Sequence, residues 1–318
     1  MTQQRWTPDA MGPQTGRTVL VTGANSGLGL VVATEFARRG ADVLMACRNS
    51  ERARAAVQRL RRDVADSGRE ASVEVVALDT ADLASVRRAA ADVLRRRSSV
   101  DVLVNNAGVM APPPGRTVDG FETQVATNHL GHFALTGLLL PALLSGGGGR
   151  VVTVSSVAAR SGRLDREDYQ SERGYRRWRV YGRSKLSNLL FAAELQRRAE
   201  AAGLPLLSVA AHPGVAHTNL TTSGPVRDRG RLVRAVAERV SRVLGQPASQ
   251  GAWPLLRAAT DPSAAGGDCF GPDGPGQARG FPVRVQVPPA AHDPGDAAWL
   301  WARSAEWTGV DPAELKRG

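Results

Sequence analysis

The sequence predicts an α/β fold, a doubly wound parallel sheet with helices on both faces, in a single domain that carries a small insertion. Three observations lead there. Short β-branched runs alternate with helix-period segments along most of the 318 residues, the pattern of successive right-handed βαβ units. The first run, 17–22, passes straight into a glycine-spaced turn, Gly23-Ala24-Asn25-Ser26-Gly27-Leu28-Gly29, which opens a helix. A composition that is 42% hydrophobic and 22% charged belongs to a globular chain able to bury a large core.

The glycine turn carries the first functional hint. Gly23, Gly27 and Gly29 permit a tight turn and a close backbone approach, and the N-terminus of the helix that follows (30–40) attracts a diphosphate. Asn25, Ser26 and Leu28 complete this cradle. The next strand, 41–47, ends Cys47-Arg48-Asn49. A site built for NAD(H) places Asp or Glu near that end to hold the ribose 2′-hydroxyl. Here the acid is missing, since Asp42 stands at the strand's start. Arg48 instead offers a guanidinium suited to a 2′-phosphate, so NADP(H) is expected over NAD(H).

An Arg-studded helix (50–66) and a strand (73–78) lead to Asp79-Thr80, where an adenine edge could be held. A helix (83–96) and a strand (100–104) lead to Asn105-Asn106-Ala107-Gly108, which is either a plain turn or a run small enough for a nicotinamide ribose to lie close. A long helix, 122–144, carries Asn128 within Thr-Asn-His-Leu-Gly-His-Phe. His129 and His132, with no acid or Cys partner in view, read as packed or surface histidines and not as metal ligands; no metal site is expected. The strand 150–155 ends at Ser156, a helix runs over 181–198, and the strand 206–211 precedes His212-Pro213-Gly214-Val215-Ala216-His217-Thr218.

A core over 17–212 thus gives way to a loop and lid over 213–250. Within it, 219–248 is a Gly/Pro loop and an amphipathic helix (Leu232, Val236, Val240, Val243) placed to cover a substrate. An Arg-rich helix lying on a membrane surface is the rival reading of the same stretch. The C-terminal part, 251–318, holds a Pro/Gly-rich segment (261–294) with an edge strand at 283–287. Its tail, 295–318, is a helix whose Trp299, Trp301 and Trp307 dock on the core.

The totals exclude other classes. A formal charge of +11 raises nucleic acid as a partner, but the Arg residues are scattered and no basic run is interleaved with aromatics as a base-stacking platform would be. Two cysteines, Cys47 and Cys269, form no disulfide framework. The N-terminus lacks the apolar stretch of a signal peptide. The longest apolar run, 133–144, is too short to span a bilayer and contains Pro141. A cytoplasmic protein without a membrane span is expected.

One pair stands out against this background. Tyr181 and Lys185 share a helix face at i, i+4. Of the 41 Lys and Arg residues, Lys occurs only at 185 and 316. A chain that writes its positive charge as Arg has kept a Lys one turn after a Tyr, which suggests a need for a compact ammonium. An ordinary pair on a solvated face is the plainer reading of those two residues alone.

Taken in order, Thr22-Gly23…Gly27…Gly29, Asp79, Asn105-Asn106-Ala107-Gly108, Asn128, Ser156, Tyr181, Lys185 and Pro213-Gly214 resemble the short-chain dehydrogenase/reductase family over essentially the whole chain. Ala-Cys-Arg-Asn, Thr-Asn-His-Leu-Gly-His-Phe, the long 157–180 segment and Ser-Lys-Leu-Ser-Asn-Leu-Leu-Phe look like its retinol dehydrogenase, WW-domain oxidoreductase and protochlorophyllide reductase group. The ending looks like bacterial members of that group. The resemblance implies a Rossmann-type sheet and four catalytic residues. Tyr181 would be the acid or base at the carbonyl oxygen, and Lys185 would lower its pKa and hold the nicotinamide ribose. Ser156 would bond the substrate oxygen, and Asn128 would fix a water linking Lys185 to solvent. The cofactor would lie on Gly23, Asn25, Ser26, Gly27, Leu28, Gly29, Arg48, Asn49, Asp79, Thr80, Asn105, Ala107, Gly108, Tyr181, Lys185, Pro213, Gly214, Val215 and Thr218. Pairing of subunits through the Tyr-bearing helix, as a homo-oligomer, is also implied.

The chemistry agrees independently. A free tyrosine titrates near ~10, so a fixed cation beside it is what makes it a usable acid-base near neutrality. The expected activity is NADP(H)-dependent hydride transfer to or from a carbonyl or alcohol of a mostly apolar small molecule. Two alternatives stay open: reduction of an activated C=C bond, and a non-catalytic NADPH-binding regulator on the same fold. The basic insert, with Arg173, Arg176, Arg177 and Arg179, raises the question of a substrate with an acidic handle.

Overall fold

A computed structural model describes residues 5–66, 68–217 and 246–315. Strands β1 (Thr18–Thr22), β2 (Asp42–Cys47), β3 (Val73–Ala77), β4 (Val102–Asn105), β5 (Gly149–Val154) and β6 (Leu206–Ala211) alternate with helices α1 (Gly27–Arg38), α2 (Ser50–Ala65), α3 (Leu83–Arg96), α4 (Gly131–Ser145) and α5 (Arg177–Ala201). Beyond β6 come α6 (Trp253–Thr260), β7 (Cys269–Pro272), β8 (Pro282–Arg284) and α7 (Pro294–Thr308). The sheet order is β8-β7-β6-β5-β4-β1-β2-β3. Its strands are parallel except β8, which pairs antiparallel with β7. The chain winds outward from β1 through β2 to β3, then returns to the other side of β1 for β4. The C-terminal ends of β1 and β4 therefore border the crevice where open α/β sheets bind ligands.

Strand alternation feeds two cores. On one face Val19 and Val21, with Val43, Val104 and Val152, pack against Phe36 of α1, Leu60 of α2 and Leu255 of α6. On the other, Leu20, Leu44, Leu103 and Val151 meet Val86 of α3, Phe133 and Leu139 of α4, Phe191 of α5 and Trp301 of α7. Helix starts carry their own signals: Asn49 accepts from the Arg52 N–H at 2.8 Å, and Asp82 from those of Ala84 and Ser85.

Several boundaries differ from expectation, each for a physical reason. The Tyr-bearing helix starts at Arg177, four residues early, with no side-chain cap to announce it. The long 122–144 helix is not uniform: after a short turn (Thr123–Val125) it widens to a π turn over Ala126–Leu130 before α4. Strand β7 falls inside the Pro/Gly-rich 261–294 segment. Its Cys-Phe-Gly-Pro sequence has little local strand signal and is extended by pairing with β6 (Ala210↔Cys269). The edge strand expected at 283–287 is β8, Pro282–Arg284. The lid helix with Leu232, Val236, Val240 and Val243 lies outside the described residues, as does Thr218. Among the described residues no helix is long and apolar enough to cross a membrane.

Between β5 and α5, a 3-10 turn (Val157–Ser161) is followed by residues 162–176, which are held by side-chain hydrogen bonds. The Tyr169 hydroxyl bonds Ser187 Oγ at 2.8 Å, and Arg183 donates to the Asp168 carbonyl at 2.9 Å. Tyr175 donates to the Pro112 carbonyl at 3.0 Å while accepting from Gln124 Nε2 at 2.9 Å.

Candidate active site

The glycine turn is made by backbone. Gly23 sits at φ +66°, and a Cβ on Gly29 would come within 2.5 Å of the Gly23 carbonyl and 2.6 Å of Asn106 Nδ2. Helix α1 thus starts hard against the end of β1, and only hydrogen fits there. Ser26 precedes α1 in an extended conformation with no side-chain cap bond, so its first-turn N–H groups receive no capping bond from it. Beneath the turn the Cys47 thiol is pushed up to about 11 by burial, against the lowering effect of hydrogen bonds from the Ala24 and Asn25 backbone. This thiol packs; it is not a nucleophile.

At the end of β2 the Arg48 guanidinium is 74% exposed, its Nη1 standing 3.8 Å from the Asp79 carboxylate. Asp79 also accepts from the Ala81 N–H at 3.0 Å. Asn49 is occupied as the cap of α2, and Thr80 is buried under α4, where a Cβ on Gly131 would stand 2.1 Å from its carbonyl oxygen. At the end of β4, Asn105 Nδ2 donates to Thr136 Oγ1 at 3.0 Å. A Cβ on Gly108 would be 2.9 Å from Asn128 Oδ1 and 3.8 Å from Lys185 Nζ. This strip of small residues lets the Asn128 and Lys185 side chains approach the β4 end.

Ser156, Tyr181, Lys185 and Asn128 converge beyond the ends of β4 and β5. Ser156 stands near enough to the Tyr181 phenol to lower its proton affinity and accepts from the Ala158 N–H at 3.2 Å. Ser155 points the other way and donates to the Lys185 carbonyl at 2.8 Å. The Lys185 ammonium donates to the Val154 carbonyl at 3.1 Å and lies 6.0 Å from the Tyr181 ring centroid. Burial pulls it down to about 8. Burial also raises the Tyr181 phenol, opposed by Ser156. Desolvation dominates both groups, and Lys185 keeps its charge below about pH 8. The Asn128 side chain is fully engaged: Oδ1 accepts from Val109 N–H at 2.8 Å, and Nδ2 donates to the Val109 carbonyl at 3.0 Å and Ser184 Oγ at 2.9 Å.

On the far side Pro213, Gly214 and Val215 are clamped. Gly214 N–H donates to His212 Nδ1 at 3.2 Å, Val215 N–H to the Ala278 carbonyl at 2.8 Å, and Gln246 Nε2 to the Pro213 carbonyl at 2.9 Å. Of Arg173, Arg176, Arg177 and Arg179, Arg173 pairs with Glu167 and Arg179 with Asp165, at 3.6 and 3.5 Å. Half of that positive charge is met by the insert's own acids.

The family model that matches, short chain dehydrogenase, covers residues 17–225. The chain belongs to the short-chain dehydrogenase family. It is similar to retinol dehydrogenase 14 of Mus musculus, 38% identical over 307 residues that span 93% of this chain and 86% of that one. In three dimensions it is similar to an uncharacterised protein from Mycobacterium paratuberculosis, with TM-score 0.79 and 44% identity, covering 97% of this chain and 99% of that one. A structure from Beutenbergia cavernae with bound NADP, assigned as an NAD(P)-dependent gluconate 5-dehydrogenase, gives TM-score 0.59 and 29% identity over 78% of this chain and 91% of its own. As a short-chain dehydrogenase the protein is an oxidoreductase acting on alcohol or carbonyl groups with a nicotinamide cofactor.

Around this dehydrogenase site stand residues that the motifs contain but to which they assigned no part in the site. Thr22 Oγ1 accepts the N–H groups of Asn106 and Ala107, each at 2.9 Å, and Asn106 Nδ2 donates to the Thr22 carbonyl at 2.7 Å, stitching β1 to the β4 turn. Asn188 joins Lys185 on the Val154 carbonyl at 2.9 Å. His129 and His132 are both buried, as packed residues. His129 Nε2 meets Ser304 Oγ of α7 at 2.8 Å. Burial holds them at about 3 and about 4. A signal was available in the sequence: both sit in a segment otherwise apolar enough to be core.

Proposed function

We propose that the protein is an NADP(H)-dependent oxidoreductase that transfers hydride between the nicotinamide and a carbonyl or alcohol carbon of a mostly apolar small molecule. The observation that carries this reading is the meeting of Ser156, Tyr181 and Lys185, with the ammonium 6.0 Å from the Tyr181 ring centroid and Ser156 opposing the rise that burial imposes on the phenol. The cofactor supplies the hydride when bound; the chain supplies position and the proton. Ser156 holds the substrate oxygen. Tyr181 delivers its proton to that oxygen in reduction, or takes it up in oxidation. Lys185, charged at neutral pH, stabilises the phenolate left behind. Asn128 holds the β4 turn and the neighbourhood of Lys185 together.

The residues present fit a dinucleotide. Gly29 lets α1 begin hard against the end of β1, and the first-turn N–H groups of α1, with no cap bond from Ser26, are free for a diphosphate. Arg48, exposed and with no acid at its own strand end, favours a 2′-phosphate, while Asp79 at 3.8 Å holds the guanidinium ready. The name of the mouse relative supports an apolar alcohol or aldehyde as the substrate class. Residues 213–250 are the lid of this reading, and a homo-oligomer its assembly.

The test is cofactor consumption across aromatic and long-chain aldehydes, cyclic ketones and quinones, with NADPH and NADH run in parallel and products identified. Alcohol products with NADPH preferred are expected. Saturation of a conjugated C=C with the carbonyl intact would overturn the reaction assignment, and equal use of NADH would overturn the role of Arg48.

A further inference from the structure

His132 lies in α4, fully inside the fold, and bridges the two halves of the site. Its Nε2 is 2.9 Å from Thr22 Oγ1, and its Nδ1 is 3.1 Å from the main-chain carbonyl of Asn128. The proton positions follow from counting. Thr22 Oγ1 already accepts two N–H groups, from Asn106 and Ala107, both at 2.9 Å, which uses its two lone pairs. It can only donate to a further partner. Its choices are His132 Nε2 at 2.9 Å and the Val104 carbonyl at 3.3 Å, and a protonated Nε2 would confront an oxygen with no lone pair left. Nε2 is therefore the acceptor and Nδ1 carries the hydrogen. The other end agrees: the Asn128 carbonyl can only accept, so the nitrogen facing it must donate. Burial and the nearby Lys185 charge both keep the ring neutral.

The carbonyl it grips belongs to the π turn, in which Gly131 N–H returns to the Ala126 carbonyl five residues back. Such widened turns survive where side chains hold them. The same Asn128 clamps Val109 and Ser184 with its side chain.

We propose that His132 is a positioning residue: as the neutral Nδ1–H tautomer it locks the Asn128 carbonyl with one nitrogen and Thr22 of the cofactor cradle with the other. One ring thereby sets both the cradle and the surroundings of Lys185. The proposal rests on the reading of Asn128 and Lys185 as part of the catalytic group. Two substitutions separate its arms. In His132→Asn the amide nitrogen falls near the Nδ1 position and keeps the Asn128 bond while leaving the Thr22 hydroxyl without its acceptor. In His132→Gln the longer side chain reaches the Nε2 position and keeps Thr22 while releasing the Asn128 carbonyl.

The experiment begins on the wild-type protein with ¹⁵N-imidazole NMR, the His132 ring assigned by its through-space contacts to Thr22. His132 is expected as the Nδ1–H tautomer at pH 7; an Nε2–H tautomer or an imidazolium overturns the proposal without any variant having to fold. Next, the NADPH Kd is measured by fluorescence titration without substrate, and kcat with the best carbonyl compound. His132→Asn should raise Kd by about tenfold and lower kcat less, whereas His132→Gln should lower kcat by about tenfold and raise Kd less. Parallel losses in both variants, or none in either, overturn it. The tautomer and Kd do not depend on turnover, so a failure of the enzymatic reading would show separately, as absent kcat with the NMR and binding results intact.

Discussion

The two halves of this site are built from different materials. The nucleotide side, from Gly23 to Gly29, is backbone: its donors are N–H groups, its shape is set by missing side chains, and Gly29 has no space even for a methyl group. The proposed catalytic side is the reverse. Ser156, Tyr181, Lys185, Asn128 and His132 are polar side chains, most of them buried to within a few per cent of full exclusion, with ionisation displaced by that burial. Substitutions should therefore act by steric fit on the first side. On the second they should act through proton affinity, with stability and activity pulling in opposite directions.

Lys185→Met should draw that distinction most sharply. The variant is expected to lose roughly 10²–10⁴ in kcat, the range of an acid-base contribution, yet to unfold at higher temperature. A native ammonium pulled from 10.5 to about 8 is a protonated group the fold disfavours at every pH below 8, worth up to about 3 kcal/mol when removed. Calorimetry at pH 7 checks the sign. A fall in stability would mean that the bond to the Val154 carbonyl outweighs desolvation.

Acid unfolding extends the comparison. Native His129 and His132 hold their protons off until about pH 3 and about pH 4, whereas the unfolded chain takes them up near 6.5. Stability is untouched above pH 6.5 and falls as pH drops below it, by about 1.4 kcal/mol per unit for each such histidine. In His129→Phe, the slope of urea midpoint against pH between 6 and 5 should lessen by one histidine's share, while an unchanged slope would assign the acid lability elsewhere.

On the backbone side, Gly29→Ala should destabilise by about 1–3 kcal/mol and abolish measurable NADPH binding, because the new Cβ meets backbone that cannot move aside. The smallest effect belongs to Arg48→Ala: about a tenfold rise in NADPH Kd with little change for NADH, the loss of one charge-assisted hydrogen bond in an exposed position. A comparable loss with both cofactors would show that Arg48 does not read the 2′-phosphate.

The same contrast explains what could be read from the sequence. Backbone sites announce themselves, since glycine spacing between a β-branched run and a helix has few other causes, and Gly23-Ala-Asn-Ser-Gly-Leu-Gly29 needed nothing from the rest of the chain. Tyr181 and Lys185 were legible because helix spacing is local and because Lys is rare here. Ser156 against Ser155 was decidable from strand alternation, which sends Ser155 to the Lys185 carbonyl and leaves Ser156 to Tyr181. The His132 bridge was not legible: its partners lie 110 residues and one helical turn away, and in sequence it looks like any packed histidine. Strand β7 escaped for a related reason, since Cys269–Pro272 is extended by its neighbour and not by its own residues. Long-range pairing, not local propensity, made both.

The most direct measurement is single-turnover reduction of the best carbonyl substrate by Tyr181→Phe beside the wild type, with NADPH Kd measured for each. The account predicts unchanged NADPH affinity within about threefold and a rate lower by roughly 10²–10⁴. A variant that reduces substrate at the wild-type rate would show that the hydroxyl of Tyr181, a residue 7% exposed and edge-to-face with Trp178, is not the proton donor, and the catalytic half of the site would have to be assigned anew.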